Sequence, residues 1–492
     1  MSDPLRIILA AGGTGGHVFP AIAIADALRE ARPGAQFLFV GTRDRMEWKA
    51  VPAAGYDIAP IWISGFHRRL TLKNLLFPLK LLVSLWQSRR LVRRFDPHAA
   101  ISCGGFASGP VGWMAARRGV PLFLQEQNSF PGVTTRKLAP KARLIFTAFD
   151  EAAKWLPQEK IVVAGNPVRG ELIRKLQDPA FPTRAREHFG LDAGRPVLLV
   201  MGGSGGAHSI NQAMLRHIGA FLEDGVQVIW QCGEVYLDAI RKELGLHETG
   251  VDAGSAGATD AARTDDAAGT SDATDSTEDA GPAASTSKKF ADLRLYGFMD
   301  DITEAWAAAD LIVSRAGAIT CSELLATGKA GILVPSPHVA GDHQMHNARS
   351  LADKGAALLL ADADLTERLP ETVRSLLGDA SRREQMEQQA RAMAKKDAAA
   401  DIARRILEQI DSGADAAAAT AAATTTATSR PGTETRQSQD PETDRGEANG
   451  PSRGDAPGQA RGTISGQARD DTRSTASAPT SNRNFQNSTT TA

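Results

Sequence analysis

Short apolar runs alternate with amphipathic segments along most of the chain. A short apolar run predicts a strand buried on both faces, and apolar residues at positions i, i+3 and i+4 predict a helix. Two series of strands are predicted in this way. They are Arg6–Ala10, Gln36–Val40, Ala99–Ser102, Leu122–Gln125, Leu144–Thr147 and Ile161–Ala164, followed by Val197–Met201, Val226–Gln231, Leu293–Tyr296, Leu311–Ser314 and Ala330–Val334. This alternation predicts an α/β fold in which a parallel sheet with helices on both faces is built twice.

Each series opens with a glycine-rich turn directly after its first strand. The turn reads GGTGG at residues 12–16 and GGSGG at residues 202–206, and an amphipathic helix follows both. Glycine lets the backbone approach a ligand closely, and a helix start offers free N–H groups to an anion. Ligands of such folds bind at the carboxyl ends of the strands. The two turns therefore predict two nucleotide-type folds that face each other across a cleft.

Two long stretches interrupt the alternation. Residues 248–287 and 412–492 are rich in Ala, Thr, Ser, Gly and Asp and nearly free of aromatic residues. Such segments bury too little apolar surface to offset the entropy of ordering them, so we expect both to be disordered. We therefore expect a first domain at residues 1–165, a second at 166–395 with residues 248–287 inserted, and a helix at 396–411 that returns to the first domain.

Composition excludes several other classes of protein. The 492 residues carry a formal net charge of −1, which gives no general attraction to nucleic acid. Three scattered cysteines are too few for a disulfide framework or a zinc site. The first residues lack the pattern of a signal peptide, and we expect no membrane-spanning helix.

A third candidate site follows the strand predicted at Leu311–Ser314. Ala316, Gly317 and Ala318 open a helix that offers amides to a phosphate, and Glu323 in that helix is placed to accept the hydroxyls of a ribose. Alternatively, Glu323 is an ordinary acid that complements the helix dipole. Further on, His343 and His346 are spaced like metal ligands, but no third ligand follows, which favours surface histidines.

A basic amphipathic segment in the first half predicts contact with a membrane surface. Leu75, Leu79, Leu82 and Trp86 lie on one helical stripe. The stripe is surrounded by cations, namely Arg68, Arg69, Lys73, Lys80, Arg89, Arg90, Arg93 and Arg94. The alternative is a helix packed on the core, and a second stripe of Leu81, Leu85 and Val92 would serve that packing.

Eight motifs, in this order, resemble those of one bacterial family. They are GGTGGHVFPA (12–21), GGFASGP (104–110), EQN (126–128), GNPVR (165–169), GGSGGA (202–207), GFMDD (297–301), SRAGAITCSE (314–323) and DHQMHNA (342–348). The family is the UDP-N-acetylglucosamine transferases of peptidoglycan synthesis, which convert lipid I to lipid II. The resemblance implies the glycosyltransferase-B fold, inversion at the sugar carbon, and no metal or other cofactor. It also implies a peripheral enzyme on the cytoplasmic face of the inner membrane, where anionic lipid and other cell-wall synthesis proteins are expected partners.

The resemblance also assigns roles to individual residues. Thr14, Gly15 and Gly16 would line the cleft beside the sugar and the acceptor pyrophosphate, Asn128 and Gln344 would contact the donor sugar, and Arg169 and Ser204 the donor nucleotide. Met299 would meet the uracil through its backbone. The helix start formed by Ala318, Ile319, Thr320, Cys321, Ser322 and Glu323 would hold diphosphate and ribose. The chain departs from the family pattern at Gln125, where His is common, at Phe106, where Tyr is common, and at Gly205.

The reaction requires a base, because the muramoyl C4 hydroxyl loses a proton as it attacks the donor sugar. His17 is the first candidate for that base and Glu126 the second. Other functions remain as alternatives: a UDP-sugar transferase acting on diacylglycerol, a sugar-nucleotide 2-epimerase that needs no acceptor, and a dinucleotide oxidoreductase. The last would need one G-x-G-x-x-G turn with an acid about 20 residues on, and Asp26 and Glu30 fall too early for that.

Overall fold

A computed structural model of the chain describes residues 4–65, 76–168, 170–203, 205–246, 290–299 and 302–412. The stretches at 248–287 and 413–492, where disorder is expected, lie outside the described residues, as do Leu75, Arg169 and Ser204. Within the described residues, two all-parallel sheets contain the strands. The prediction of a parallel α/β sheet built twice is confirmed.

The first sheet has seven strands in the order β3-β2-β1-β4-β5-β6-β7. Their bounds are β1 Arg6–Ala10, β2 Gln36–Gly41, β3 Asp57–Pro60, β4 Ala99–Ser102, β5 Leu122–Glu126, β6 Leu144–Thr147 and β7 Ile161–Val163. The second sheet has six strands in the order β10-β9-β8-β11-β12-β13. These are β8 Val197–Met201, β9 Gln227–Gln231, β10 Leu293–Tyr296, β11 Leu311–Arg315, β12 Ala330–Val334 and β13 Leu358–Leu359.

Helices cover both faces of each sheet. They are α1 Gly15–Ala31, α2 Glu47–Ala53, α3 Phe77–Phe95, α4 Ser108–Arg117, α5 Val133–Leu138, α6 Gly170–Lys175, α7 Phe181–His188, α8 His208–Glu223, α9 Glu234–Leu244, α10 Thr303–Ala308, α11 Ala318–Thr327, α12 His343–Ala352, α13 Leu365–Gly378, α14 Ala380–Met393 and α15, residues 398–412. Alternate residues of the central strand β1 enter different cores: Ile7 and Leu9 join one, Ile8 and Ala10 the other. Burial on both faces explains why these strands appear in the sequence as continuous apolar runs.

The two strands that the sequence did not predict both lie at sheet edges. β3 consists of Asp57–Pro60 with one exposed and three half-buried residues, and β13 has only two residues. An edge strand has one neighbour and carries polar residues, so the signal of a continuous apolar run is missing there. Five predicted ends also move by one residue. β9 begins at Gln227, not Val226, and β7 ends at Val163, not Ala164, whereas β2, β5 and β11 each extend one residue further, to Gly41, Glu126 and Arg315.

Helix α15 packs on the first sheet although it follows the second in the chain. Its residues Ile402 and Ile406 are fully buried in the same cluster as Ile7 and Leu9 of β1. Arg143 Nε donates to Gln409 Oε1 at 2.6 Å at its exposed edge. Apolar burial therefore ties the end of the described chain to the first half.

Candidate functional site

The first glycine turn connects β1 to α1 and holds His17 in the first turn of that helix. Thr14 caps α1 with extended backbone, and its Oγ1 lies 3.0 Å from His17 Nδ1. The opposite edge of the imidazole lies against Gly104: a Cβ built on that glycine would be 2.6 Å from His17 Cδ2 and 3.0 Å from Nε2. Gly104 has φ +90°, so both its conformation and its contact with His17 require glycine.

Burial lowers the pKa of His17 below its ordinary value. Glu126 and Glu47 act in the opposite direction, and His343 adds to the lowering. A lowered pKa keeps the imidazole neutral at pH 7, which is the form that accepts a proton.

Glu47, which the sequence did not single out, lies beneath the first glycine turn. Its side chain is almost fully buried, and Oε2 accepts from the Gly13 N–H at 3.2 Å. The other oxygen, Oε1, accepts from the backbone N–H and the hydroxyl of Thr42 at 3.1 and 2.8 Å. One amide of the turn is therefore used by a carboxylate of the protein itself.

Glu126 is also buried, and its carboxylate organises the loop that follows β5. Oε1 accepts from the backbone N–H and the side-chain amide of Asn128 at 3.1 and 3.2 Å. Oε2 accepts from the Gly132 N–H at 3.1 Å. Both oxygens are thus held by donors of their own loop, which suits a residue that shapes the site better than one that removes a proton.

A chain of buried amides runs from this loop to the second half of the molecule. Gln127 Nε2 donates to Gln125 Oε1, and Gln125 Nε2 donates to Asn166 Oδ1 at 2.9 Å. Asn166 Nδ2 then donates to the Gln127 carbonyl and to Ser322 Oγ, both at 3.0 Å. Gln125 is therefore the link between Gln127 and Asn166 in this chain.

Ser322 belongs to α11, the helix that the sequence marked as a donor site. The helix begins at Ala318 after Gly317, at the carboxyl end of β11. Glu323 and Cys321 are buried, while Ala318, Ile319, Thr320 and Ser322 are half-buried. Burial raises the pKa of the Cys321 thiol to about 12, so it is an inert packing residue. The half-buried residues of the N-terminal turn are therefore the part of α11 that remains accessible.

The second glycine turn lies beside α11 in the second sheet. A Cβ on Gly206, which has φ +73°, would be 2.1 Å from the Cys232 carbonyl oxygen. Gln231 links this turn to the Met299 loop, because its Nε2 donates to the Gly203 carbonyl at 3.4 Å and its Oε1 accepts from the Met299 N–H at 3.1 Å. Sequence reasoning missed Gln231, because it stands there as the last residue of a predicted strand.

Helix α12 joins the two halves directly. Asn347 Oδ1 accepts from the backbone N–H and hydroxyl of Ser129 at 3.0 and 3.1 Å, and Asn347 Nδ2 donates to Asn128 Oδ1 at 3.2 Å. His343 Nδ1 lies 3.0 Å from the Phe130 carbonyl oxygen, and the His346 ring stacks on Phe130 at 5.3 Å. The two histidines therefore contact an aromatic ring of the first half, and in the described residues no group of three or more potential ligands forms a metal site.

Gln344, the sugar-binding residue that the resemblance assigned, lies on the same helix. Its Oε1 accepts from the Ser336 N–H at 2.8 Å, which fixes the orientation of the carboxamide.

The part of the basic amphipathic segment that the structure describes forms α3, whereas Arg68, Arg69, Lys73 and Leu75 lie outside the described residues. Leu79, Leu82 and Trp86 are 50%, 66% and 61% exposed and lie on one stripe. The structure corrects the second stripe. Leu81 is exposed and Leu85 half-buried, and the buried residues of the helix are Ser84, Ser88 and Val92, of which only Val92 was named. Phe77, Leu91 and Phe95 also pack against the core from partly buried positions. None of the described helices is both long and apolar enough to cross a membrane.

Comparison with known proteins identifies the family. The N-terminal domain model of glycosyltransferase family 28 matches residues 7–147, and the C-terminal domain model of that family matches residues 269–404. A protein of Salinibacter ruber, named UDP-N-acetylglucosamine--N-acetylmuramyl-(pentapeptide) pyrophosphoryl-undecaprenol N-acetylglucosamine transferase, is 43% identical over 80% of this chain and 94% of its own length. The chain belongs to this transferase family.

Other relatives agree with this assignment. The enzyme of the same name from Christiangramia forsetii is 40% identical over 78% of this chain and 91% of its own length. The crystal structure of Acinetobacter baumannii MurG covers 82% of this chain and all of its own, with 27% identity and a TM-score of 0.60. The glycosyltransferase-B fold expected from the motifs is thereby confirmed. A UDP-N-acetylglucosamine 2-epimerase structure at 14% identity and TM-score 0.53 shares the fold alone.

Proposed function

We propose that this protein transfers N-acetylglucosamine from UDP-N-acetylglucosamine to the C4 hydroxyl of N-acetylmuramoyl-pentapeptide on undecaprenyl pyrophosphate, forming lipid II from lipid I. The observation that carries the proposal, besides the family, is that a neutral histidine and a phosphate-ready helix start belong to one connected site. His17 and Gln127 both lie next to Gly104, and the amide chain from Gln127 ends on Ser322 of α11. Acceptor chemistry and donor binding would thus be held in one connected site. Residues 1–165 would receive the acceptor and residues 166–395 the donor.

The donor would bind at the second half. The N-terminal turn of α11, from Ala318 to Glu323, would hold the diphosphate and ribose, because a helix start stabilises anions. Arg169 and Ser204 would bind the same nucleotide. The Met299 N–H donates to Gln231, so the Met299 carbonyl is the backbone group that would accept from a uracil N–H.

The sugar would lie between the halves. The Gln344 carboxamide, held through its oxygen, would turn its NH2 group to the sugar hydroxyls, and Asn128 would contact the sugar from the facing loop. Thr14, Gly15 and Gly16 would line the acceptor side. As UDP leaves, its growing charge would be stabilised by the helix starts near Gly206 and Ala318.

His17 would take the proton of the attacking hydroxyl. Its lowered pKa supplies the neutral form, and its Nδ1 edge lies at the exposed Thr14 hydroxyl rather than in the core. Glu126 would instead stabilise the protonated form of His17 after the proton has been transferred, because the charge of Glu126 raises the pKa of His17. Its own oxygens are occupied by the loop.

The enzyme would attach peripherally to the cytoplasmic face of the inner membrane. Leu79, Leu82 and Trp86 are exposed on α3, with Arg89 and Arg93 following on the same helix. An exposed apolar stripe flanked by cations binds the interface of anionic membranes. Leu75 would extend the stripe. Contact with other cell-wall synthesis proteins is compatible with this location.

The test is transfer of labelled N-acetylglucosamine from UDP to a lipid I analogue by the purified full-length protein. We expect a disaccharide product with inverted configuration, and loss of transfer in His17→Gln. Two parallel reactions address the alternatives. Incubation with donor alone would reveal a 2-epimerase, and diacylglycerol as acceptor would reveal a different lipid glycosyltransferase. Product in either of these, without product from lipid I, would contradict the proposal.

A further inference from the structure

The first glycine turn, residues 12–16, has a composition that does not fix its own shape. Four of its five residues are glycines, and Gly13 has φ +96°. Glycine adopts many backbone conformations at little cost, so such a turn is free to take several forms. His17 follows the turn directly, and its position depends on the form that the turn takes. A group elsewhere in the fold is therefore needed to hold the turn.

Glu47 provides that hold from beneath the turn. It is 1% exposed, and its Oε2 accepts from the Gly13 N–H at 3.2 Å. Its Oε1 accepts from the N–H and the hydroxyl of Thr42 at 3.1 and 2.8 Å. Thr42 directly follows β2, the strand that pairs in parallel with β1. One carboxylate thus joins the connections that leave two adjacent strands at the same edge of the sheet.

The backbone continues this link from Gly13 to His17. Thr14 is the next residue, and its carbonyl accepts from the His17 N–H at 3.0 Å. The Thr14 hydroxyl lies 3.0 Å from His17 Nδ1. A rotation of the Gly13 peptide would move Thr14 and with it both of these contacts. The path from the carboxylate of Glu47 to the imidazole therefore runs through Gly13 and Thr14.

The charge of Glu47 gives it a second connection to His17. A buried carboxylate needs donors or a cation to offset the loss of its hydration. Within the described residues Glu47 forms no ion pair, and its three hydrogen bonds take that place. Its charge raises the pKa of His17, as that of Glu126 does, whereas burial and His343 lower it.

We propose that Glu47 is a positioning residue, which fixes the first glycine turn through the Gly13 N–H and thereby holds Thr14 and His17 in place for the transfer step. This inference rests on the proposed role of His17 as the base. A change at Glu47 should therefore act on the chemical step and leave binding of the donor in the second half nearly as it is.

Two substitutions separate the position of the carboxylate from its charge. Glu47→Asp keeps the charge but shortens the side chain by one CH2 group, so it cannot reach both Gly13 and Thr42. Glu47→Gln keeps the length, but its NH2 group would face one of the two backbone N–H donors. By analogy with the outer residues that orient metal ligands, we expect each change to lower kcat about 10- to 100-fold. The KM for UDP-N-acetylglucosamine should stay nearly unchanged.

The titration of His17 is a second readout, which does not depend on turnover. Imidazole ¹⁵N shifts of the full-length protein labelled at histidine report it, and their loss in His17→Gln assigns the signals. Glu47→Gln removes a charge that raises the pKa of His17, so that pKa should fall below its native value. Glu47→Asp retains the charge, so the pKa should stay closer to native. A side chain that only stabilises the fold would not produce this difference.

Asp26→Asn is the matched control on the same helix as His17. It neutralises a carboxylate of α1 that accepts from the Tyr56 hydroxyl at 2.7 Å and from Arg29 at 2.8 Å. Both kcat and the pKa of His17 should remain native in this variant.

Several results would overturn the inference. Native kcat in both Glu47 variants would show that the turn holds His17 without the carboxylate. A raised donor KM with unchanged kcat would make Glu47 part of the donor site. Rapid solvent exchange of the Gly13 amide in the native protein would count against the anchor even if neither variant folded. If His17→Gln retained native turnover, the proposed base would fail, whereas the His17 titration and the Gly13 exchange would still report on Glu47.

Discussion

Asn347→Asp replaces one NH2 group by an oxygen atom in the contact between α12 and the loop after β5. We expect this change to destabilise the protein in a pH-dependent way. Asn347 is fully buried. Its Oδ1 accepts two hydrogen bonds from Ser129, which a carboxylate also accepts. Its Nδ2 donates to Asn128 Oδ1 at 3.2 Å and to the Ala316 carbonyl at 3.3 Å. In the variant, a carboxylate oxygen would face these two acceptors.

The magnitude follows from the cost of protonating that oxygen. Protonation gives the introduced carboxyl group one hydrogen-bond donor where the amide had two. The loss of folding stability at any pH therefore cannot exceed about the free energy of protonating the carboxylate plus that of one lost hydrogen bond, which is about 1 kcal/mol. An aspartate in an unfolded chain has a pKa of about 3.9, so protonation costs about 4 kcal/mol at pH 7 and about 1.5 kcal/mol at pH 5. Because burial among acceptors raises the pKa of the introduced carboxyl group in the folded protein, the loss of stability grows as the pH rises above the pKa of that group in the unfolded chain.

Thermal unfolding of variant and native protein at pH 7 and pH 5 measures this difference. The difference in Tm between variant and native protein should narrow by about 3–4 °C at the lower pH, since about 2.7 kcal/mol of the destabilisation disappears. Asn211→Asp is the matched control: Asn211 is equally buried but bonds to Trp230 and Cys232 within the second half. It should share the pH dependence and keep native turnover, whereas Asn347→Asp should lose turnover. A gap in Tm that does not change with pH would refute the reasoning.

The site and α3 support three further predictions. Glu323→Ala should raise the donor KM about 10- to 100-fold, because a charged hydrogen bond of about 1.5–3 kcal/mol is lost; unchanged donor kinetics would remove Glu323 from the site. Turnover should be flat near pH 7 and fall only at a pH below the ordinary histidine pKa of about 6.5, because the pKa of His17 is lowered; a fall in turnover that already begins above pH 7 would argue against His17. Reversing the charges of Arg89, Arg90 and Arg93 should release the protein from anionic vesicles, yet spare transfer to a short-chain soluble acceptor; equal loss with both acceptors would assign α3 to core packing.

All strands except β3 and β13 could be predicted, because most of them are buried in a similar way between two layers of helices. The five residues of β8 are all buried, and a buried parallel strand leaves an unbroken apolar run in the sequence. The start of α11 could be predicted for a similar reason, since small residues after a strand indicate a turn into a helix. In both cases the deciding interactions are local in the chain.

The residues that connect the site could not be predicted, because their partners are distant in sequence. Asn166 reaches Ser322, 156 residues away, and Asn347 reaches Ser129, 218 residues away. The sequence alone does not distinguish a buried Asn or Gln side chain from one that is exposed to solvent. Only the tertiary structure shows that its donors and acceptors are used, so the motifs marked the right segments without revealing which atoms meet.

The two glycine turns illustrate how one pattern serves two purposes. Both were expected to offer amides to a phosphate, yet the Gly13 N–H donates to Glu47, a carboxylate that would repel an anion placed on that amide. Glycine is required in the first half for close approach instead: a Cβ on Gly105 would lie 2.0 Å from the Gly12 carbonyl oxygen. The charge of Glu47 acts against the lowering of the His17 pKa by burial. Under the proposed function, anion binding would then fall to the helix starts of the second half, and the acid–base and electrostatic parts of the reaction would lie on opposite sides of the site.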